Sequence, residues 1–154
     1  MMRRDLGQPV PEPSWPADIR PIPFSLDQAT EIHRLLSLGY QDGSGSVPDY
    51  SHWVNAFKHD PEFNTGLCFV AVDDQGPVGV ITCWTSAFIK DLVAHPRARR
   101  QGVAMALLTL LFSHLRQRGE PRVDLLVMEN NLMARQLYEK MDMSYVRRSA
   151  IEET

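Results

Sequence analysis

Cysteine is scarce in this chain: Cys68 and Cys83 are the only 2 among 154 residues. They lie in apolar stretches without CxxC spacing, so the plain reading is two reduced core thiols rather than a disulfide framework. The 5 histidines (His33, His52, His59, His95 and His114) are scattered without zinc-ligand spacing, and no metal site is expected. Positive charge is not in surplus. Against 16 Lys and Arg stand 19 Asp and Glu, a net charge of -3, which argues against a nucleic-acid partner. Long apolar runs are missing too. The longest, residues 105–112, is too short to cross a bilayer. Met1-Met2-Arg3-Arg4 starts like a signal peptide but is followed by prolines instead of an apolar core. A cytoplasmic protein without a membrane partner is therefore expected. What remains is an ordinary globular composition, 44% hydrophobic and 23% charged, enough for one domain with one real core.

Residues 1–17 carry Pro9, Pro11, Pro13 and Pro16 with little to bury, and are read as a mobile proline-rich lead. A single domain over residues 18–154 follows. It opens with a strand at 19–24, then Ser25 as a helix cap with Gln28 three residues on, and an apolar stripe of Ile32, Leu35 and Leu36. A Gly- and Ser-rich loop, 41–48, leads to a helix from Asp49 to about His59, closed by Pro61. Strands are predicted at 67–72, 77–84 and 88–95, the first two joined by the turn Asp73-Asp74-Gln75-Gly76. In the third, Ile89 and Leu92 both read as core-facing, which strict alternation forbids; a β-bulge near Lys90-Asp91 reconciles them. A helix over 102–118 ends at Gly119 and Pro121. A buried strand (123–128), a helix opening at Asn131 and running to about Met141, and a strand at 145–149 complete the order β-α-α-β-β-β-α-β-α-β. That is an α/β fold with a mixed sheet.

The most informative segment is the strand-to-helix turn Arg97-Ala98-Arg99-Arg100-Gln101-Gly102-Val103-Ala104. The first amides of a helix lack internal partners and carry partial positive charge. Gly102 and Ala104 leave room for an anion to reach them, and Arg99 and Arg100 add charge and bidentate donors. The turn lacks the Gly-Lys-Ser/Thr of a Walker loop and the triple glycine of a dinucleotide fingerprint. Taken alone, it reads equally as an anion cradle and as an ordinary loop with solvated arginines.

Arg99-Arg100-Gln101-Gly102-Val103-Ala104 resembles the Arg/Gln-x-x-Gly-x-Gly/Ala signature of the GCN5-related N-acetyltransferase (GNAT) superfamily. Asn131-Leu132-Met133-Ala134 followed by Leu137-Tyr138-Glu139-Lys140 resembles that family's second motif. The resemblance covers about residues 66–146. It implies a mixed, mostly antiparallel twisted sheet flanked by helices, acetyl-CoA as acyl donor, no metal, and direct acetyl transfer to a primary amine in a ternary complex. It implies that Leu92, Val93 and Ala94 bind the pantetheine arm through their backbone, one N–H (Val93 or a neighbour) polarising the thioester carbonyl. Arg99, Arg100, Gln101, Gly102, Val103 and Ala104 would hold the diphosphate, with Asn131, Ala134 and Tyr138 on a shared helical face completing the site. Met133, Leu137 and Met141 would form the neighbouring core stripe.

Tyr138 is the candidate general acid, since a phenol of pKa about 10 keeps its proton at neutral pH; an amphipathic tyrosine at the core edge is the competing reading. The base is less defined. Lys90 stands where many family members place a glutamate, so Asp91 is the first candidate, Glu129 the second, and His52 a third. Tyr50, His52, Trp53 and Trp84 are candidates for an acceptor pocket favouring a cationic amine; the competing and favoured reading is that the tryptophans fill core and nearby Asp42 and Asp49 cap turns. A small-molecule amine is favoured over a protein as acceptor. A non-catalytic acyl-CoA-binding regulatory module and a protein N-terminal or lysine acetyltransferase are the alternatives. Asp142-Met143 replaces the Gly-Phe usual after the last helix, and little chain follows Tyr145 to build a last strand, so a homodimer completing that sheet edge is expected.

Overall fold

The computed structural model describes residues 1–42 and 46–146. A 7-stranded mixed sheet lies between two helical layers. In chain order the elements are β1 (Met2–Asp5), β2 (Arg20–Pro23), α1 (Ala29–Gly39), α2 (Tyr50–His59), β3 (Phe69–Asp73), β4 (Gly76–Trp84), β5 (Phe88–Ala94), α3 (Val103–Gln117), β6 (Arg122–Leu125), α4 (Leu132–Lys140) and β7 (Ser144–Tyr145). The strands stand in the order β2-β3-β4-β5-β6-β1-β7. Every pairing is antiparallel except β5 with β6. The α/β fold expected from the sequence is the fold observed.

Capping follows the local chemistry. Ser25 Oγ accepts from the Asp27 amide and starts a 3₁₀ turn that runs into α1. Asp49 Oδ1 accepts from the His52 amide and opens α2. Amphipathic stripes then set the layers. Ile32, Leu35 and Leu36 of α1 meet Trp53 and Phe57 of α2 over Val70, Val80 and Val93. On the opposite face Leu107, Leu108, Leu111, Phe112 and Leu115 of α3 cover Ala71, Ile81, Ile89 and Leu125. The β5 bulge is present. Thr82 pairs with Asp91 and Cys83 with Ile89, so Lys90 is the extra residue. Ile89 and Leu92 consequently both pack on the α3 side, while Val93 packs on the α1 side.

The opening residues are not a mobile lead. Met2–Asp5 pairs with β6 along its whole length and with β7 at Met2 and Arg3. Arg3 makes two hydrogen bonds to the Asp124 carboxylate, at 2.7 and 3.1 Å. Arg4 is buried because carbonyls satisfy its guanidinium: those of Met141, Asp5 and Pro9 at 3.1, 3.1 and 3.2 Å. Met2 and Leu6 join the α3-side core. β1 thus lies between β6 and β7 and leaves the short β7 as the edge strand. β6 also ends at Leu125, three residues before the strand expected to reach 128. Met133 is 74% exposed instead of facing the core, because α4 leaves the sheet at its N-terminal end; Met141, at the other end, is buried. Asp142 takes a left-handed conformation (φ 65°), as the missing glycine requires. Of the last strand expected at 145–149, residues 147–149 lie outside the described residues, as do Gly43 and Gly45 of the loop.

Gly39 fixes how closely α1 lies on β5. A Cβ there would meet the Val93 Cβ at 2.6 Å, inside contact distance and against a strand that cannot retreat. Gly39→Ala is expected to destabilise the fold by about 1–3 kcal/mol through overpacking, read as a lower urea midpoint with unchanged slope.

Candidate active site

β5 and β6 run parallel but pair only at Phe88 with Asp124 and Ile89 with Leu125. Beyond that point β5 continues to Ala94 against β4 alone, while β6 has ended. The two strands part and open a cleft of about 1700 Å³. Its floor is the free edge of β5, one lip is the start of α3, and the other runs from Leu125 through the first turns of α4.

The amides on that free edge follow from register. The His95 N–H donates to the Val78 carbonyl on β4 at 2.7 Å. The two-residue period sends the Val93 N–H toward β4 as well, and those of Leu92 and Ala94 toward the cleft. The N–H expected from Val93 or a neighbour thus falls to the neighbours, Leu92 and Ala94.

At the first lip, α3 starts at Gly102 with no side-chain cap. Gly102 adopts φ 84°, and a Cβ there would meet nothing within 4 Å. The glycine thus serves backbone conformation, and the space in front of it is open. The amides that follow point outward without partners inside the helix. The turn before them is tied down at two points. His95 Nδ1 accepts from the Arg97 amide at 3.1 Å, and Arg97 holds Asp73 of β3 at 2.6 Å. Burial foremost, then the charge of Arg97, lowers the His95 pKa, which keeps that nitrogen an acceptor. Arg100 is forced to φ 66°, strained for a side-chain-bearing residue. Arg99 and Arg100 line the cleft, and their side chains make no hydrogen bond or ion pair among the described residues. Gln101 departs from expectation: its Nε2 donates to the Arg97 carbonyl at 3.3 Å, and it does not line the cleft.

On the second lip Asn131 Oδ1 caps α4 by accepting from the Ala134 amide at 3.2 Å. Ala134 and Tyr138 follow on the cleft side. Tyr138 is half-buried against the α3-side core, and burial pushes its pKa up to about 12. Its hydroxyl has no hydrogen-bond partner among the described residues. Glu129 lines the cleft, but its carboxylate is paired with Arg135 at 3.3 Å. Arg135 also donates to the Glu129 carbonyl at 2.7 Å and to the Tyr145 hydroxyl at 2.8 Å.

None of the four acceptor-pocket candidates lines the cleft. Trp53 is 2% exposed in the α1–α2 core. Trp84 packs against Phe57 with ring centroids 5.5 Å apart, in the α1–α2 core. Tyr50 and His52 sit on the outer face of α2, with His52 bonded to the capping Asp49 at 2.8 Å. Asp91 does line the cleft. The residue missed from the sequence is Tyr40, the C-cap of α1, whose hydroxyl donates to Asp91. Its signal was only its place just past the helix-ending Gly39. Among the described residues no group of 3 or more His, Cys, Asp and Glu side chains could hold a metal ion.

The family model for the acetyltransferase (GNAT) family matches residues 29–143. The chain belongs to that family. A GCN5-related N-acetyltransferase from Sphaerobacter thermophilus superposes on this GNAT domain with a TM-score of 0.76 at 26% identity, over 93% of this chain and 46% of that one. The chain thus spans less than half the length of that protein. The ribosomal-protein-alanine N-acetyltransferase of Brucella melitensis gives 0.68 at 18% identity, over 88% and 99% of the two chains. The diaminobutyrate acetyltransferase of Paenibacillus lautus, in complex with L-2,4-diaminobutyric acid and coenzyme A, gives 0.64 at 19% identity, over 79% and 73%. No curated protein matches the sequence.

Two outcomes are expected of this site. Arg99→Gln with Arg100→Gln should weaken coenzyme A binding about tenfold, or about 1.4 kcal/mol, and flatten its salt dependence in calorimetry. Cys68 and Cys83 lie outside the cleft, and burial pushes their pKa values up to about 11 and about 12. Neither should react with a disulfide reagent at pH about 8 until the protein is unfolded in urea.

Proposed function

We propose that this chain transfers an acetyl group from acetyl-CoA to a primary amine, directly and without an acyl-enzyme. The observation that carries this reading is the parting of β5 from β6 between an uncapped helix start and the unpartnered Tyr138 hydroxyl. The cleft exceeds the roughly 300–1,000 Å³ that suits one drug-sized ligand, and suits a long donor meeting an acceptor. The residues present fit that donor. Open amides at Val103 and Ala104 with the guanidinium groups of Arg99 and Arg100 suit a diphosphate. The free β5 edge at Leu92 and Ala94 suits the amides of a pantetheine arm.

When bound, acetyl-CoA supplies an activated acyl group and a thiol leaving group. The chain contributes position and charge. A β5 amide facing the cleft hydrogen-bonds the thioester carbonyl oxygen, stabilising the negative charge that builds there as the amine adds. Tyr138 bears its proton throughout the neutral range. Its raised pKa secures the donor while making it a weak acid, so it acts first as a hydrogen bond to the departing sulfur. Cys68 and Cys83, proton-bearing and outside the cleft, take no nucleophilic part.

The acceptor reading is a small-molecule amine. The pocket candidates on α2 do not support a cationic aromatic cage, since none reaches the cleft. An amine approaching the bulge of β5 meets Tyr40, Lys90 and Asp91 instead.

Tyr138→Phe is expected to lower kcat about 10–100-fold while acetyl-CoA affinity, measured by calorimetry, stays within error. Unchanged turnover with a slow-leaving thiol would remove the role of Tyr138. Acetyl-CoA binding without thiol release, for any amine or peptide tried, would favour a non-catalytic binding module.

A further inference from the structure

Asp91 and Arg4 are the only charged side chains fully buried among the described residues, and only Asp91, 6% exposed, lines the cleft. The bulge at Lys90 puts it there by turning Asp91 and Val93 together toward α1. Both carboxylate oxygens are taken. Oδ1 accepts from the Tyr40 hydroxyl at 2.5 Å, while Oδ2 accepts from Thr82 Oγ1 at 2.9 Å and from Lys90 Nζ at 3.2 Å. A carboxylate so enclosed offers no ready edge to an incoming amine. Its first candidate role, as a base acting directly on the acceptor, does not fit this geometry.

Tyr40 does line the cleft. Gly39 seats the end of α1 on Val93, and the Tyr40 amide closes the helix onto the carbonyls of Leu36 and Leu38. The phenol is therefore fixed between the cleft and Asp91. A phenol oxygen carries lone pairs as well as its proton, so it can receive one proton while giving up another.

We propose that Tyr40 and Asp91 form a proton relay that deprotonates the acceptor, an inference that rests on the transferase reading above. The acceptor arrives as R–NH3⁺. One N–H bond breaks and its proton joins the Tyr40 oxygen, while the Tyr40 O–H bond breaks and that proton joins Asp91 Oδ1. The products are R–NH2 with its lone pair free, a neutral Tyr40 and a protonated Asp91. No phenolate forms. The proton returns to solvent by the same path once product has left. Tyr40 is the catalytic residue of the pair, and Asp91, acting through it, positions and drives it.

The groups facing Asp91 stabilise its charged form, so it holds the relayed proton only until release. From β5, Lys90 Nζ also lies over the rings of Phe57 of α2 and Trp84 of β4, at 5.8 and 5.9 Å. It keeps those contacts when Asp91 takes up a proton. Thr82 of β4 does not titrate. Ahead of β3, the Cys68 thiol feels the Asp91 charge, but burial above all pushes it up to about 11, and it stays protonated through the assay range.

The test compares two kinds of nucleophile with acetyl-CoA and the full chain: a primary alkyl amine, the best of cadaverine, L-2,4-diaminobutyrate and an alanine-terminated peptide, and hydroxylamine, which is unprotonated at neutral pH. Tyr40→Phe keeps the ring. It is expected to lose about 100-fold in kcat/KM toward the alkyl amine at pH about 7, to regain activity as pH rises toward about 10, where the amine deprotonates itself, and to lose only a small fraction as much toward hydroxylamine. Asp91→Asn should follow the same pattern, and the double variant should be no worse than either single one. If Asp91→Asn fails to fold, Tyr40→Phe alone decides. Equal losses with both nucleophiles at every pH, or no loss with either, overturn the relay while leaving the transferase reading intact. Wild-type protein that binds coenzyme A yet acylates neither nucleophile overturns both together.

Discussion

The structure turns on one pairing that stops early. A strand edge in the middle of a sheet exposes amides and carbonyls that would normally bind a neighbour, and leaving them dry is costly. Here β5 and β6 share two residue pairs and then diverge. The edge left open on β5 faces a cleft instead of a strand. Its neighbours keep it open. β5 is held from behind by β4 and by the close seat of α1 on Val93. β6 is held by the whole length of β1. The opening is built into the topology and needs no motion to exist.

Around that opening the chain places unlike chemistries at separate points. The start of α3 offers bare amides and free guanidinium groups, suited to anionic charge. α4 brings a phenol that burial keeps protonated. The bulge of β5 carries a buried carboxylate screened by a second phenol. These features come from different segments, and the bulge is what joins the last to the rest. Without Lys90 as an extra residue, Ile89 and Leu92 could not both pack under α3 while Asp91 and Val93 face α1.

Much of this was legible in the sequence where local signals are strong. The caps at Ser25, Asp49 and Asn131, the left-handed Asp142, the end of α3 at Gly119 and the bulge at Lys90 each follow from residue type or periodicity. The two motifs carried the family and one lip of the site each. What escaped depends on contacts distant in sequence. Met2–Asp5 has no β-branched residue and two adjacent arginines, and reads as solvated until Asp124 and the Met141 carbonyl are seen beside it. The open donor was narrowed only to Val93 or a neighbour, because nothing local shows which amides face β4. Gln101 matched a motif position, yet its carboxamide folds back on its own turn. Trp53 and Trp84 have the composition of a ligand pocket and the burial of a core. Tyr40 matters only because α1 happens to end above Asp91.

The strand between β6 and β7 bears on how the molecule is made. Arg3 and Asp124 are separated by 121 positions along the chain, so their meeting closes a loop of nearly the whole domain, and such closures come slowly. During translation, residues 2–5 emerge long before β6 exists to receive them. Until then Met2 and Leu6 have no core to enter, and β6 on emerging has an unfilled flank. The last step of folding is then the docking of Met2–Asp5 onto β6. A nascent chain stalled before β6 would hold Met2 and Leu6 exposed to chaperones.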